Sequence, residues 1–198
     1  MPSAPFTTSP LTPAERAHVL GQTAFVVWFT GLSGAGKSTL GHALERALQQ
    51  AGRHTMLIDG DQVRLGLCQG LGFSADDRQE NLRRSAELAC TLMDAGLIVI
   101  ATFITPRERD RALVRSIVGA QRLVEVYVST PLSTCEARDP KGLYRRARQG
   151  EVAQMTGIGS PYEPPEMADV VLNGEAIDMA AEVDRLMGTL APRWAPAA

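Results

Sequence analysis

The sequence holds three cysteines, Cys68, Cys90 and Cys135, far apart, odd in number and without a Cys-x-x-Cys pair. That spacing argues against a disulfide framework or a thiolate zinc site and fits a reducing compartment, so a cytoplasmic location is expected. The histidines His18, His42 and His54 are also scattered, and none has ligand spacing. Neither sign of charge is in excess: 20 Lys and Arg against 22 Asp and Glu give a net charge of −2. No nucleic-acid or membrane-surface partner is expected from that balance, and any anion site must be local. The longest apolar run, LIVIATFI from Leu97 to Ile104, falls far short of the ~20 residues that span a bilayer. The opening MPSAPFTTSPLTPAER lacks a basic segment followed by an apolar one, so no secretory signal is expected. There is no internal repeat.

What remains is an alternation of strand and helix signals. The 198 residues suit one α/β domain, large enough to bury roughly 70% of its unfolded surface. The expected organisation is a flexible segment 1–20 rich in Pro, Ser and Thr, a domain over 21–191 and a tail over 192–198. AFVVWFT, HTMLID, LIVIATFI, LVEVYV and DVVLN read as five strands. Helices are expected from about Lys37 to Gln50, from a Ser74–Asp77 capping box to Gly96, over PRERDRALVRSIV with Pro106 in the first turn, over PLSTCEAR, and over IDMAAEVDRLMGTL. Leu82, Ala86, Ala89 and Met93 fall on one face of the second of these. Residues 138–166, rich in Arg, Gly and Pro, read as a basic lid or long functional loop. The pattern predicts a mainly parallel five-stranded sheet with helices on both faces.

Between the first strand and the first long helix lies GLSGAGKST. Gly31, Leu32, Ser33, Gly34, Ala35, Gly36, Lys37, Ser38 and Thr39 carry the G-x-x-x-x-G-K-[ST] pattern of a three-layer P-loop NTPase. Glycines let the backbone curl so that amides face phosphate oxygens, and the helix N-terminus adds positive potential. Lys37 is placed to bridge the β and γ phosphates, and the Ser38 hydroxyl to ligate Mg²⁺. ATP or GTP is therefore expected. No NKxD base-reading segment exists for a GTPase, and the fourth strand ends in Ser129 and Thr130 rather than in acids. A small-molecule kinase fits best.

At the end of the second strand stand Asp59 and Asp61. In open α/β sheets that edge faces the ligand crevice, alongside the phosphate loop. Asp59 is either a turn former or linked to the metal. Asp61, past Gly60, is the better candidate to accept a proton from an attacking hydroxyl. Arg64, Arg78 and Asn81 are either a solvated helix face or a converging anion site. Phe73 is either a hydrophobic staple or a platform for a planar ring.

GLSGAGKST, DGDQVRLGL, LGFSADDRQENLRR, CEARDPKGLYRRAR and TGIGSPYEPPE together resemble the adenosine 5′-phosphosulfate (APS) kinase family, over about residues 20–175. The resemblance implies transfer of the ATP γ-phosphoryl group to the ribose 3′-hydroxyl of APS, giving ADP and 3′-phosphoadenosine 5′-phosphosulfate. It assigns Asp61 to the acceptor hydroxyl. Arg64, Arg78 and Asn81 fall to the substrate, Phe73 to its adenine, and Ile104 to a backbone contact with it. Lys141 is assigned to the lid near the substrate and Arg138 to a place beside the ATP adenine, with Arg148 a further lid position. Thr105 stands where the family often has a phosphorylatable serine, and is kept as a candidate catalytic position with Asp61 and Lys37. It further implies a homodimer and functional coupling to a sulfate adenylyltransferase. The chain departs from the pattern at Gln62 for asparagine, at Arg107, and at Met155 for the phenylalanine expected to face Phe73 across the adenine; substrate affinity is what these changes put in doubt. Two other readings are a P-loop kinase for another small molecule and a nucleotide-binding regulatory module.

Overall fold

Five short strands form one parallel sheet in the order β2-β3-β1-β4-β5. They are β1 (Val26–Thr30), β2 (Thr55–Asp59), β3 (Ile98–Thr102), β4 (Leu123–Val128) and β5 (Val170–Leu172). This computed structural model describes residues 10–174 and 178–194. Because β1 sits between β3 and β4, the chain winds to one side of β1 and then to the other. That switch opens the crevice at the C-terminal ends of the strands. Register pairs Phe29 and Asp59 with Thr102, so the ends of β1, β2 and β3 lie in one row beneath it.

Strands β1 and β3 are buried at every position, as the unbroken apolar runs require of strands covered on both faces. Their side chains divide between two cores. Val27 and Phe29 face α2 (Lys37–Gln50) and α8 (Met179–Trp194), whereas Val26 and Trp28 face α4 (Ala75–Asp94) and α5 (Glu108–Val118). On α2, Leu40, Leu44 and Leu48 recur every fourth residue and are fully buried, each contributing about 1.5–3 kcal/mol. On α4 the predicted stripe Leu82, Ala86, Ala89 and Met93 is buried, and Ser74 caps the helix by accepting from the Asp77 amide at 3.1 Å.

Three expectations are corrected. Residues 13–20 form a helix, α1 (Pro13–Leu20), opened by a Thr12–Glu15 capping box. It is fastened to the domain: Leu20 lies where a Cβ on Gly96 would stand. Next to it the buried Gln22 side chain donates to His54 O and Gly96 O at 2.9 and 2.8 Å. At the other end α8 continues through Pro192 to Trp194, whose carbonyl accepts from the Thr23 amide at 3.1 Å. Residues 13–20 and 192–194 therefore belong to the folded domain; 1–9 and 195–198 lie outside the described residues. Pro106 precedes α5 rather than entering its first turn, and Arg107 takes the cap position.

The segment expected as a lid contains a helix of its own, α7 (Leu143–Arg148), after α6 (Leu132–Arg138). Several hydrogen bonds tie it down. Tyr144 Oη donates to Ser33 O in the phosphate loop at 2.9 Å, Arg78 Nη2 to Gln154 O at 2.6 Å, and the Glu163 amide to Pro106 O at 2.8 Å.

Candidate active site

The phosphate loop begins at Gly31, whose φ is +146° and whose added Cβ would stand 2.7 Å from Val128 O. Only glycine fits there. Gly36, at φ +105°, turns the chain into α2. Two loop carbonyls are held from outside, Ala35 O by Thr130 Oγ1 at 2.8 Å and Ser33 O by Tyr144 Oη. Leu32 and Ala35 are buried, Ser33 and Gly34 line the half-open side, and Thr39 is exposed on α2. Lys37 folds across the loop, with Nζ donating to Gly31 O at 2.9 Å and Leu32 O at 2.6 Å. Burial above all pushes its pKa down to about 8, against the pull of Asp61 and Asp59.

Asp59 Oδ2 accepts from Ser38 Oγ at 2.6 Å and Thr102 Oγ1 at 2.8 Å, while Oδ1 accepts from the Asp61 amide at 2.9 Å. One carboxylate thus caps the short helix α3 (Gly60–Val63) and orients the phosphate-loop serine. The turn-forming role of Asp59 is seen directly. Burial would raise its pKa, but these hydrogen bonds and one from the Gln62 amide together keep it below the usual carboxylate value. The oxygen set suits a hard cation such as Mg²⁺. Among the described residues no group of three or more His, Cys, Asp and Glu gathers to hold a metal. The oxygen donors present beside the phosphate loop are the Ser38 hydroxyl and the Asp59 carboxylate.

Asp61 projects from α3 and forms an ion pair with Lys141 of the lid; both side chains are more than half exposed. Sequence places the two 80 residues apart, and the fold brings them together at the mouth of the crevice. Across from them, Arg64 Nη1 donates to Leu71 O and Gly72 O at 3.2 and 3.0 Å, and its guanidinium lies 4.4 Å from the centre of the Phe73 ring. Arg78 approaches the same ring at 5.8 Å and donates to Phe73 O at 2.9 Å and Thr156 Oγ1 at 2.8 Å. Phe73 is 61% exposed. It is therefore an open aromatic surface rather than a hydrophobic staple. Asn81 is 4% exposed, and its Nδ2 has no hydrogen-bond partner among the described residues. A buried donor left open in this way is a place for a ligand acceptor. A cleft of about 230 Å³ runs beside Arg78, lined also by Pro106, Arg107, Arg109, Asp110 and Gln154.

Ile104 follows β3, and its carbonyl accepts from Gly31 N at 3.3 Å and Thr30 Oγ1 at 2.8 Å. The turn after β3 and the phosphate loop are therefore directly joined. Thr105 corrects an expectation. Its side chain is 1% exposed, and its hydroxyl accepts from Trp28 Nε1 at 2.8 Å, so it is not presented to a phosphoryl donor. Thr105→Ala is expected to leave kcat at saturating acceptor within about threefold, because direct transfer needs no phosphorylated residue. The loss instead appears as stability, about 1–3 kcal/mol for the unpaired indole N–H. Steady-state kinetics beside a melting curve checks both; loss of turnover in a folded variant would restore Thr105 to the chemistry.

Arg138 lies on the exposed end of α6, its Nη2 donating to Gly174 O at 2.8 Å. Arg148 pairs with Glu136 at 2.7 Å. Met155 is buried in the core with Leu32 and Tyr144, not standing open opposite Phe73. Gln62 is exposed on α3. Sequence reasoning missed Trp28, Thr30, Thr102 and Tyr144. Thr30 and Thr102 carried a signal, each being a hydroxyl at the C-terminal end of an otherwise apolar buried strand.

A family described as Adenylylsulphate kinase matches residues 23–173. An adenylyl-sulfate kinase of Shewanella pealeana is 54% identical over 177 residues, 89% of this chain and 86% of that protein. Among solved structures, APS kinase of Mycobacterium tuberculosis in complex with AMPPNP and APS is similar at a TM-score of 0.81 and 42% identity, over 85% of this chain and 98% of that one. A hexameric APS kinase from Thiobacillus denitrificans is similar at a TM-score of 0.65 and 30% identity, over 87% of this chain and 30% of that one.

Proposed function

The chain belongs to the adenylylsulphate kinase family, and from that premise we propose that its crevice phosphorylates the ribose 3′-hydroxyl of APS at the expense of ATP. It is an ATP-dependent kinase of sulfate activation, and its products are ADP and 3′-phosphoadenosine 5′-phosphosulfate. The observation that carries the assignment to these residues is a juxtaposition. The phosphate loop, Asp61 and the Arg64–Phe73–Arg78 wall meet at one edge of the sheet.

In the reaction the acceptor O3′ attacks the γ-phosphorus, the bond from phosphorus to the ADP oxygen breaks, and the hydroxyl proton passes to the Asp61 carboxylate. Such transfer depends on positioning and charge neutralisation more than on covalent help. Lys37 leaves the carbonyls of Gly31 and Leu32 to meet the β and γ phosphates. Phe73 offers its face to the acceptor adenine, and base–aromatic stacking is worth roughly 1–3 kcal/mol. Arg64, Arg78 and the open Asn81 amide receive the ribose and phosphosulfate. Arg138 lies beside the ATP adenine, and Lys141 closes over the acceptor. Ser38, whose hydroxyl Asp59 orients, would hold Mg²⁺, which would neutralise phosphate charge.

The enzyme is further read as a cytoplasmic homodimer working beside a sulfate adenylyltransferase. The unpaired cysteines support the compartment, and assembly of a related kinase into a hexamer supports an oligomer. Transfer of label from γ-labelled ATP tests the reading. Radioactivity should appear in a 3′-phosphorylated product with APS and not with gluconate or shikimate. A protein that binds both nucleotides yet transfers nothing would be a sensor rather than a kinase.

A further inference from the structure

We propose that Arg111 is a positioning residue that holds the Ile104–Thr105 turn in shape for the acceptor; the inference rests on reading that turn as part of the acceptor site. Arg111 lies on α5, 4% exposed, one layer behind the crevice. Its guanidinium reaches two carbonyls with one nitrogen: Nη1 donates to Thr105 O at 3.4 Å and to Glu163 O at 2.7 Å. Nη2 and Nε donate to Glu108 Oε2 at 2.6 and 3.2 Å, and Nε lies 3.4 Å from Glu125 Oε1. Glu125 is itself buried and held by Arg115 at 2.6 Å.

The turn needs holding. Thr105 has φ +43°, a region in which a β-branched residue costs about 1–3 kcal/mol and persists only where its surroundings over-determine it. Three donors do so: Trp28 Nε1 on the hydroxyl at 2.8 Å, and Thr30 Oγ1 and Arg111 Nη1 on the carbonyl at 3.3 and 3.4 Å. Of the three, Arg111 also grips the returning end of the lid at Glu163 O, and Thr30 Oγ1 lies 3.1 Å from Tyr162 Oη just before it. The Glu163 amide in turn donates to Pro106 O at 2.8 Å. Turn and lid are thus closed on each other around one guanidinium, while Gly31 N fastens the turn to the phosphate loop through Ile104 O. Lysine carries the same charge but has one nitrogen, and lacks the Nε and Nη2 donors that hold the guanidinium to Glu108 and Glu125 while Nη1 meets the two carbonyls.

The plain alternative is that Arg111 only pairs with Glu125 to seat α5 on the sheet. Replacing both members of a buried ion pair with neutral groups is often close to neutral for stability, so Arg111→Met with Glu125→Gln separates the two. The double variant, and Arg111→Lys as a second case, are compared with the parent for melting temperature and for both Michaelis constants. The expected result is an acceptor KM raised on the order of 10- to 100-fold, as misplacement of a binding contact produces, with the ATP KM nearly unchanged. A folded double variant and Arg111→Lys that both keep the parental acceptor KM would overturn the role of Arg111 alone. A parent protein inactive on APS would overturn the functional reading itself.

Discussion

Asp61→Asn lowers kcat by about 10²- to 10⁴-fold, the range of a positioned proton acceptor, and leaves the fold and ATP binding intact. The geometry explains the separation. Asp61 enters α3 through its backbone amide, which Asp59 accepts, and asparagine keeps that bond. The side chain is two-thirds exposed and its partner Lys141 is exposed as well, so losing the ion pair costs little stability. What disappears is the carboxylate next to the acceptor hydroxyl. Calorimetric titration with a non-hydrolysable ATP analogue, alongside turnover with APS, reads the two effects independently. A fall of less than about tenfold would move the proton to solvent and take Asp61 out of the chemical step.

Lys37→Met is the second large effect. Removal of one charged donor from developing transition-state charge typically costs about 10²- to 10³-fold in kcat, and here the lysine also contributes to holding ATP. The variant carries a thermodynamic signature too. The unfolded chain keeps the lysine proton up to the ordinary value of 10.5, whereas the folded protein releases it near 8. Between those values the unfolded state binds more protons, so folding stability rises with pH; below about 8 both states are protonated and the slope vanishes. Chemical denaturation at several pH values should show that rise in the parent, and the methionine variant should lose its share of it. An unchanged pH slope in the variant would mean that the folded protein does not depress this lysine.

The phosphate loop was legible because its chemistry is written in the backbone: Gly31 and Gly36 occupy conformations and spaces that exclude side chains. Strand β4 was legible to the residue, since LVEVYV is apolar enough to be buried and bounded by turn residues. Helix α1 was not. Its Pro- and Thr-bearing sequence has the composition of a loop, and its anchorage comes from Gly96 and Gln22, contacts far away in the chain. The Thr12–Glu15 capping box was the readable signal. Thr105 and Met155 misled for a shared reason. A motif position names a residue type, but whether that residue faces the crevice or the core depends on backbone φ and neighbouring layers. Similarly, the meeting of Asp61 with Lys141, and of Arg111 with Glu163, is a property of the sheet order and lid path that no local spacing contains.

At rest the proposed proton acceptor, Asp61, carries its own counter-ion. Asp61 and Lys141 neutralise each other across the open crevice. An arriving phosphosulfate therefore meets a lysine already engaged, and the anions exchange one cation between them. Exchange of this kind is governed by the electrolyte, because exposed charges more than about 8 Å apart are screened at physiological ionic strength. Added salt loosens the Lys141 side chain from the carboxylate and at the same time dulls its attraction for an incoming anion, so the two responses oppose each other.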